Sequence, residues 1–149
     1  LVSVVIDIER IGDYTKNIFD LARRHPKRLN AGSLEVQLKA LEEHTSKVFH
    51  DTIEAFKNSD EDLARKVMDD YKEDISADSE KMTDDIIGGT VSDLKSPEAA
   101  AVVLYARFLK RIGSHSRNMA TSIVNPFHRI GYNEKTDKSP GTDIVPPPE

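Results

Sequence analysis

The sequence predicts an all-α protein built as an antiparallel four-helix bundle. Apolar residues recur at every third or fourth position in four successive stretches, which is the period of an amphipathic helix. Turn-forming segments separate the stretches, and none alternates with the period of two expected of a strand. The 149 residues are enough for one domain. We expect the bundle over residues 1–126 and an extended or disordered Pro-rich tail over residues 127–149.

The first helix is expected over residues 2–24. Its predicted core-facing stripe consists of Val5, Ile8, Gly12, Thr15, Phe19 and Ala22. Arg23 and Arg24 suit a helix C-terminus, where the macrodipole is negative. The helix should end near His25, because the residue before a proline avoids the helical region.

The second and third helices are expected over residues 33–57 and 60–87. Asn30 or Ser33 can cap the second helix, and Asp60 can cap the third. The stripe of the second helix consists of Leu34, Leu38, Leu41, Thr45, Val48, Thr52 and Ala55, and it is widened by Phe49, Ile53 and Phe56. The stripe of the third helix consists of Ala64, Val67, Met68, Tyr71, Ile75, Met82 and Ile86. Polar residues weaken the third stripe near its middle, and Gly88 should end the helix.

The fourth helix is expected over residues 97–125, with Ser96 as its N-cap and Pro97 in its first turn. Its stripe consists of Ala101, Leu104, Phe108, Ile112, Met119 and Ile123. Asn125 precedes a proline and should close the helix. Because the four helices are joined by short connections, each should run antiparallel to the next.

The composition excludes several classes of functional site. The chain has no cysteine, which excludes disulfides, thiolate catalysis and cysteine-based zinc sites. A net charge of −5 argues against nucleic-acid binding, and no apolar run is long enough to span a membrane. The absence of cysteines is compatible with a cytoplasmic protein, with association to a membrane through a partner or an upstream transporter segment as the alternative. The sequence contains neither a glycine-rich loop that could bind phosphate nor the Glu-x-x-His signature of di-iron bundles, so neither motif indicates an enzyme. The basic residues 23–28 are interpreted as a solvated helix end, with contact to phosphate or a lipid headgroup as the alternative.

One eleven-residue phrase occurs twice, as ERIGDYTKNIF at residues 9–19 and as KRIGSHSRNMA at residues 110–120. The offset between the copies is 101 positions. The identical pairs are Arg10/Arg111, Ile11/Ile112, Gly12/Gly113 and Asn17/Asn118. A repeat of this length indicates a duplicated structural unit. Three chain reversals lie between the copies, so we expect the two phrases on antiparallel helices.

A helix that carries this R-I-G phrase twice, at this offset, resembles the PhoU family of phosphate-uptake regulators. The resemblance implies two tandem three-helix bundles with the phrase on the third helix of each. It covers residues 2–123, as the third helix of a first repeat followed by a complete second repeat. It also implies a non-enzymatic regulator that contacts a phosphate transporter or its sensor kinase.

The family's metal motif, E-x-x-x-D, survives once, as Glu9 and Asp13. The resemblance implies that it binds iron or another divalent ion. Carboxylates four residues apart lie on one helix face and offer oxygen ligands, and Asn17 could add a carbonyl. The second copy has Lys110 and Ser114 at the two positions, so its site is expected to be lost. Further ligands would come from the acidic face of the third helix, which consists of Asp70, Asp74 and Asp78.

Other interpretations stay open. PhoU-like modules also form the cytosolic tail of sodium–phosphate cotransporters, and a start within a repeat is consistent with a fragment or a fused tail. A metal-storing or metal-dependent bundle is a second alternative, and a purely structural scaffold is a third. The protein could also be a homodimer. For each carboxylate named above, the plain alternative is a solvated helix face.

Overall fold

The computed structural model describes residues 2–25 and 27–125, and its regular elements over this range are all helical. The predicted all-α class is confirmed, while the tail predicted for residues 127–149 lies outside the described residues. The elements are α1 (Val2–Arg24), a short 3₁₀ helix (Gly32–Leu34), α2 (Glu35–Asn58), α3 (Glu61–Asp70), a π-helical segment (Tyr71–Ser76), α4 (Ala77–Ile87) and α5 (Ser96–Val124). The predicted third helix is thus one rod, built from α3, the π-helical segment and α4.

The hydrophobic core lies between α2, the third rod and α5. Every residue of the stripe predicted for the second helix is buried, and Leu41 and Val48 are among the largest fully buried side chains. The third rod contributes Val67, Ile75 and Met82 to the same core. The regular spacing of apolar residues therefore identified the buried faces of these helices, except that Phe56, which was expected to widen the second stripe, is 43% exposed.

The π-helical segment lies where the sequence showed a weakened stripe. Its extra residue per turn shifts the apolar face, so that Ile75 is fully buried although polar residues surround it in the sequence. Ile75 and Tyr71 of this segment lie against Gly113 of α5. The rod therefore contacts the second copy of the repeated phrase at its irregular turn.

The helix ends agree with the sequence in part. The side chain of Asp60 accepts a hydrogen bond of 2.9 Å from the backbone nitrogen of Leu63, as predicted for an N-cap. Ser96 already lies inside α5, so the capping position falls on Lys95. Ser33 does not cap α2 either, because its backbone nitrogen and hydroxyl both donate to Asp93, at 2.7 and 3.0 Å. These bonds from Ser33 hold the pKa of Asp93 below its usual value and join the two long connections.

The stripe predicted for the first helix does not face the core. Val5, Ile8 and Phe19 are 58%, 54% and 70% exposed. The face that is buried or half-buried consists of Val4, Asp7, Ile11, Tyr14, Ile18 and Leu21. The prediction was wrong because α1 packs on α5 at the edge of the bundle and has apolar residues on two sides. Leu104, which was also expected in the core, is 43% exposed.

Truncation of Leu41 should test the core assignment. This side chain is fully buried between three helices, so Leu41→Ala should lower the free energy of unfolding by about 2–5 kcal/mol. The matched control is Val36→Ala on the same helix, because Val36 is exposed and should lose less than about 0.5 kcal/mol. Urea denaturation followed by circular dichroism measures both values, and equal losses would contradict the assignment.

Candidate functional site

The two copies of the repeated phrase pack against each other on antiparallel helices, as predicted. Asp7 of α1 meets His115 of α5, and Tyr14 meets Phe108, so residue numbers rise along α1 as they fall along α5. At the repeat offset, Asp7 corresponds to Phe108 and Tyr14 to His115. Each contact therefore joins one position of the first copy to the other position of the second copy. A twofold rotation that exchanges α1 and α5 would superimpose the two contacts, so a pseudo-twofold axis lies between the helices.

A buried polar cluster connects the two helices. The Nδ1 atom of His115 lies 2.8 Å from Oδ1 of Asp7, and Nδ2 of Asn118 donates to the same oxygen at 3.3 Å. The side chains of His115 and Asp7 are only 13% and 11% exposed. A buried carboxylate without donors is costly, so this cluster favours one register of α1 on α5.

Tyr14 closes the cluster on its solvent side. Its ring stacks on His115 at a centroid distance of 5.8 Å and lies 6.2 Å from the ring of Phe108. The Nε atom of Arg111 donates to the Tyr14 hydroxyl at 3.1 Å, and the guanidinium lies 5.7 Å from the ring centroid. The sequence interpretation did not select Asp7, Tyr14 or His115. The signal that could have identified these residues was a second stripe at helical spacing in the first helix, which Asp7 interrupts.

The outward face of α1 is the repeat counterpart of the buried face of α5. Its positions are Val5, Ile8, Gly12, Thr15 and Phe19, and their counterparts are Ala106, Leu109, Gly113, Ser116 and Ala120. All five counterparts are buried beneath α2 and the third rod. A side-chain carbon added at Gly113 would lie 3.1–3.2 Å from Ile75 and Tyr71, whereas at Gly12 it would meet nothing within 4 Å. The face of α1 thus has the pattern of a surface that helices cover.

The residues of the E-x-x-x-D motif lie on the exposed part of α1. Glu9 and Asp13 face solvent, and Asn17 is half-buried one turn further along. Arg10 lies 3.4 Å from Asp13 and neutralises part of its charge. In the second copy, Lys110 forms an ion pair with Glu80 of α4. The lost carboxylate of that copy is therefore replaced by an ion pair that joins α4 to α5.

The acidic face of the third rod does not meet Glu9 and Asp13. Lys66 and Lys47 contact Asp70 at 2.6 and 3.0 Å, and Lys47 also contacts Asp51. Partial burial opposes ionisation of Asp70, but the two lysines outweigh it and lower the pKa of that carboxyl. Asp74 and Asp78 lie on the same rod, which packs against α2 and α5.

In residues 2–25 and 27–125, no group of three or more His, Cys, Asp or Glu side chains is arranged to hold a metal ion. The ligands expected from the third rod are therefore not brought to the motif on α1. Metal binding by Glu9 and Asp13 stays a prediction.

These features define an all-α protein made from a duplicated helical unit, whose two copies pack through their shared motif. The chain belongs to the PhoU family, because the PhoU domain model matches residues 38–123. PhoU-family proteins are non-enzymatic regulators. The resemblance that rested on the repeated phrase is confirmed.

Comparison with curated proteins gives distant relatives. The chain is 29% identical over 150 residues to a phosphate-specific transport system accessory protein PhoU homolog of Pseudomonas putida, covering 95% of this chain and 57% of the relative. It is 26% identical over 149 residues to the phosphate-specific transport system accessory protein PhoU of Escherichia coli (strain K12), covering 95% of this chain and 60% of the relative. The chain thus spans little more than half the length of these relatives. No solved structure matches it.

The same substitution should destabilise the protein at one glycine of the repeated phrase and have little effect at the other. Gly113→Val should lower the free energy of unfolding by about 1–3 kcal/mol, because the added carbons overlap Ile75 and Tyr71. Gly12→Val should change it by less than about 0.5 kcal/mol, because the site is open and valine is no worse in a helix than glycine. Urea denaturation measures both. A loss at Gly12 as large as that at Gly113 would show that the outward face of α1 is covered in this chain.

Proposed function

We propose that this protein is a cytoplasmic regulator of phosphate transport and phosphate signalling, which acts by contact with a phosphate transporter or its sensor kinase. The observation that carries the proposal is the family match over residues 38–123, in a chain whose relatives are accessory proteins of phosphate-specific transport systems. No helix of the described residues has the length and apolar character to cross a membrane. Contact with a transporter would therefore use the surfaces of these helices.

The outward face of α1 supports an action by contact. It presents Val5, Ile8 and Phe19 to solvent along more than three helical turns. Exposed apolar side chains on one side of a helix, here with Gly12 and Thr15 between them, are typical of a surface that another protein segment covers. Asp7 and His115 keep this face outward, because their buried contact is lost if α1 rotates about its axis. We propose that this face takes part in the regulatory contact.

A binding experiment tests the regulatory contact. Purified full-length chain, immobilised through its C-terminus, should retain a detergent-solubilised phosphate transporter or the cognate sensor kinase from the same organism. The variant Ile8→Asp/Phe19→Asp should weaken retention at least about tenfold, because charges replace apolar contact area. Val36→Asp on α2 is the matched control, because it also places an acid at an exposed apolar site. Retention of neither protein by the parent would contradict the proposal.

We also propose that Glu9 and Asp13 bind a divalent or iron ion. Support comes from their four-residue spacing and their exposure on one side of α1. Two carboxylates bind such an ion weakly when water completes its coordination shell. Ligands beyond these two would come from another protein segment, because the acidic side chains of the third rod lie elsewhere.

Metal content can be measured directly. Purified chain dialysed to equilibrium against iron, zinc or magnesium should hold more metal than the surrounding buffer, and Glu9→Ala or Asp13→Ala should remove this excess. Glu43→Ala is the control, because Glu43 is an exposed carboxylate of α2 outside the motif. Elemental analysis measures the metal content of the parent and the three variants. Equal metal content in all of them, or no excess in the parent, would remove the proposed site.

A further inference from the structure

A crevice of about 350 Å³ opens at the end of the bundle where the chain leaves α1 for α2. Ile18 and Leu21 form its α1 wall, and Ala101 and Tyr105 form its α5 wall. Leu29 of the connecting segment contributes a third apolar side. The volume is at the lower end of the range of about 300–1,000 Å³ that small-molecule sites occupy. The crevice therefore has the size and lining to take a short apolar chain.

Three cationic or titratable side chains line the same crevice. They are His25, Lys27 and Arg28, which belong to the basic segment that the sequence singled out. Lys27 is exposed and Arg28 is 92% exposed, so both stand at the open side. The contact of Arg28 with Glu35 is 3.6 Å long and exposed, so it is weak and readily exchanged for another anion. His25 is held by a 2.9 Å hydrogen bond between its Nδ1 and the carbonyl oxygen of Lys27.

A second cavity lies on the other side of Tyr105, and acidic and basic side chains line it in equal number. Burial and then a hydrogen bond to Glu42 raise the pKa of Tyr105, so its hydroxyl stays protonated and donates to Glu42. Its ring, rather than its hydroxyl, is then the surface offered to the crevice. Glu42 and Glu35 line the second cavity together with Arg28 and Lys39, whereas Lys27 and Arg28 line the crevice with no acid beside them in its lining. A ligand of this crevice would therefore have its negative group beside Lys27 and Arg28 and its apolar part between α1 and α5.

We propose that this crevice binds an amphiphilic anion: an alkyl or acyl chain lies between α1 and α5, and its phosphate or carboxylate head contacts Lys27 and Arg28. Arginine and lysine bind such heads through charge-assisted hydrogen bonds. A free amphiphile and a lipid of the membrane surface share this chemistry. The site is separate from the outward face of α1 and from the motif carboxylates.

Calorimetric titration with decyl phosphate below its micellar concentration tests the site. The full chain should bind it saturably, and decanol and inorganic phosphate should each bind at least about tenfold more weakly, because each lacks one half of the recognised group. Lys27→Gln/Arg28→Gln should weaken binding at least about tenfold. Arg23→Gln/Arg24→Gln is the matched control, because it removes the same charge from the same end of α1 without altering the crevice lining. It should change affinity less than about threefold.

Ala22→Phe separates the crevice from general electrostatic attraction. Ala22 lines the crevice but is exposed on α1, so the larger side chain should fill the space without disturbing the core. This variant should lose binding while its melting temperature stays that of the parent. Absence of saturable binding by the parent, or equal binding by Ala22→Phe, would overturn the proposal.

Vesicles distinguish the two sources of the anion. Anionic phosphatidylglycerol vesicles and neutral phosphatidylcholine vesicles are compared by sedimentation. Binding to the anionic vesicles that Ala22→Phe abolishes would identify a membrane lipid as the ligand. Binding of decyl phosphate without binding to vesicles would identify a free amphiphile. Vesicle binding that survives Ala22→Phe, without decyl phosphate binding, would leave only surface attraction and contradict the crevice site.

Discussion

The contact between Asp7 and His115 determines how α1 lies on the rest of the protein. A carboxylate and an imidazole that are both nearly buried must face each other, and Asn118 adds a second donor to the same oxygen. Apolar packing alone would allow α1 to rotate or slide by one turn. The polar contact excludes those alternatives, because each would leave a buried charge without a partner. The orientation of every other group on α1 follows from it.

This constraint divides α1 into two faces with different roles. The inner face joins the two copies of the repeated motif about a pseudo-twofold axis. The outer face carries the positions whose counterparts in α5 are buried, and in this chain they are open to solvent. Gly12 and Gly113 show the difference most simply, because the same residue of the same motif is open in one copy and in close contact in the other.

The sequence predicted much of this structure, and the failures have physical causes. Most of the α2 stripe was identified correctly because that helix is buried on one side only, but Phe56, which was expected to widen the stripe, is 43% exposed. The repeat and the chain order predicted the antiparallel helix pair, because three chain reversals separate the two copies. The inner face of α1 was missed because Asp7 interrupts its apolar pattern, and its partner His115 is 108 residues away in the sequence. The acidic ligands of the third rod were misplaced because helical spacing does not reveal which helices are neighbours.

The most direct test of the central claim is a disulfide cross-link between α1 and α5, for which the absence of cysteines is an advantage. Tyr14→Cys/Phe108→Cys should form a disulfide on mild oxidation, because those rings are neighbours in the antiparallel arrangement. Val4→Cys/Tyr105→Cys joins repeat-equivalent positions that would meet only if the helices were parallel, and that lie about 20 Å apart along the axis here. The antiparallel packing of α1 on α5 predicts efficient cross-linking of the first pair and none of the second in the monomer. Cross-linking of the second pair but not of the first would contradict it.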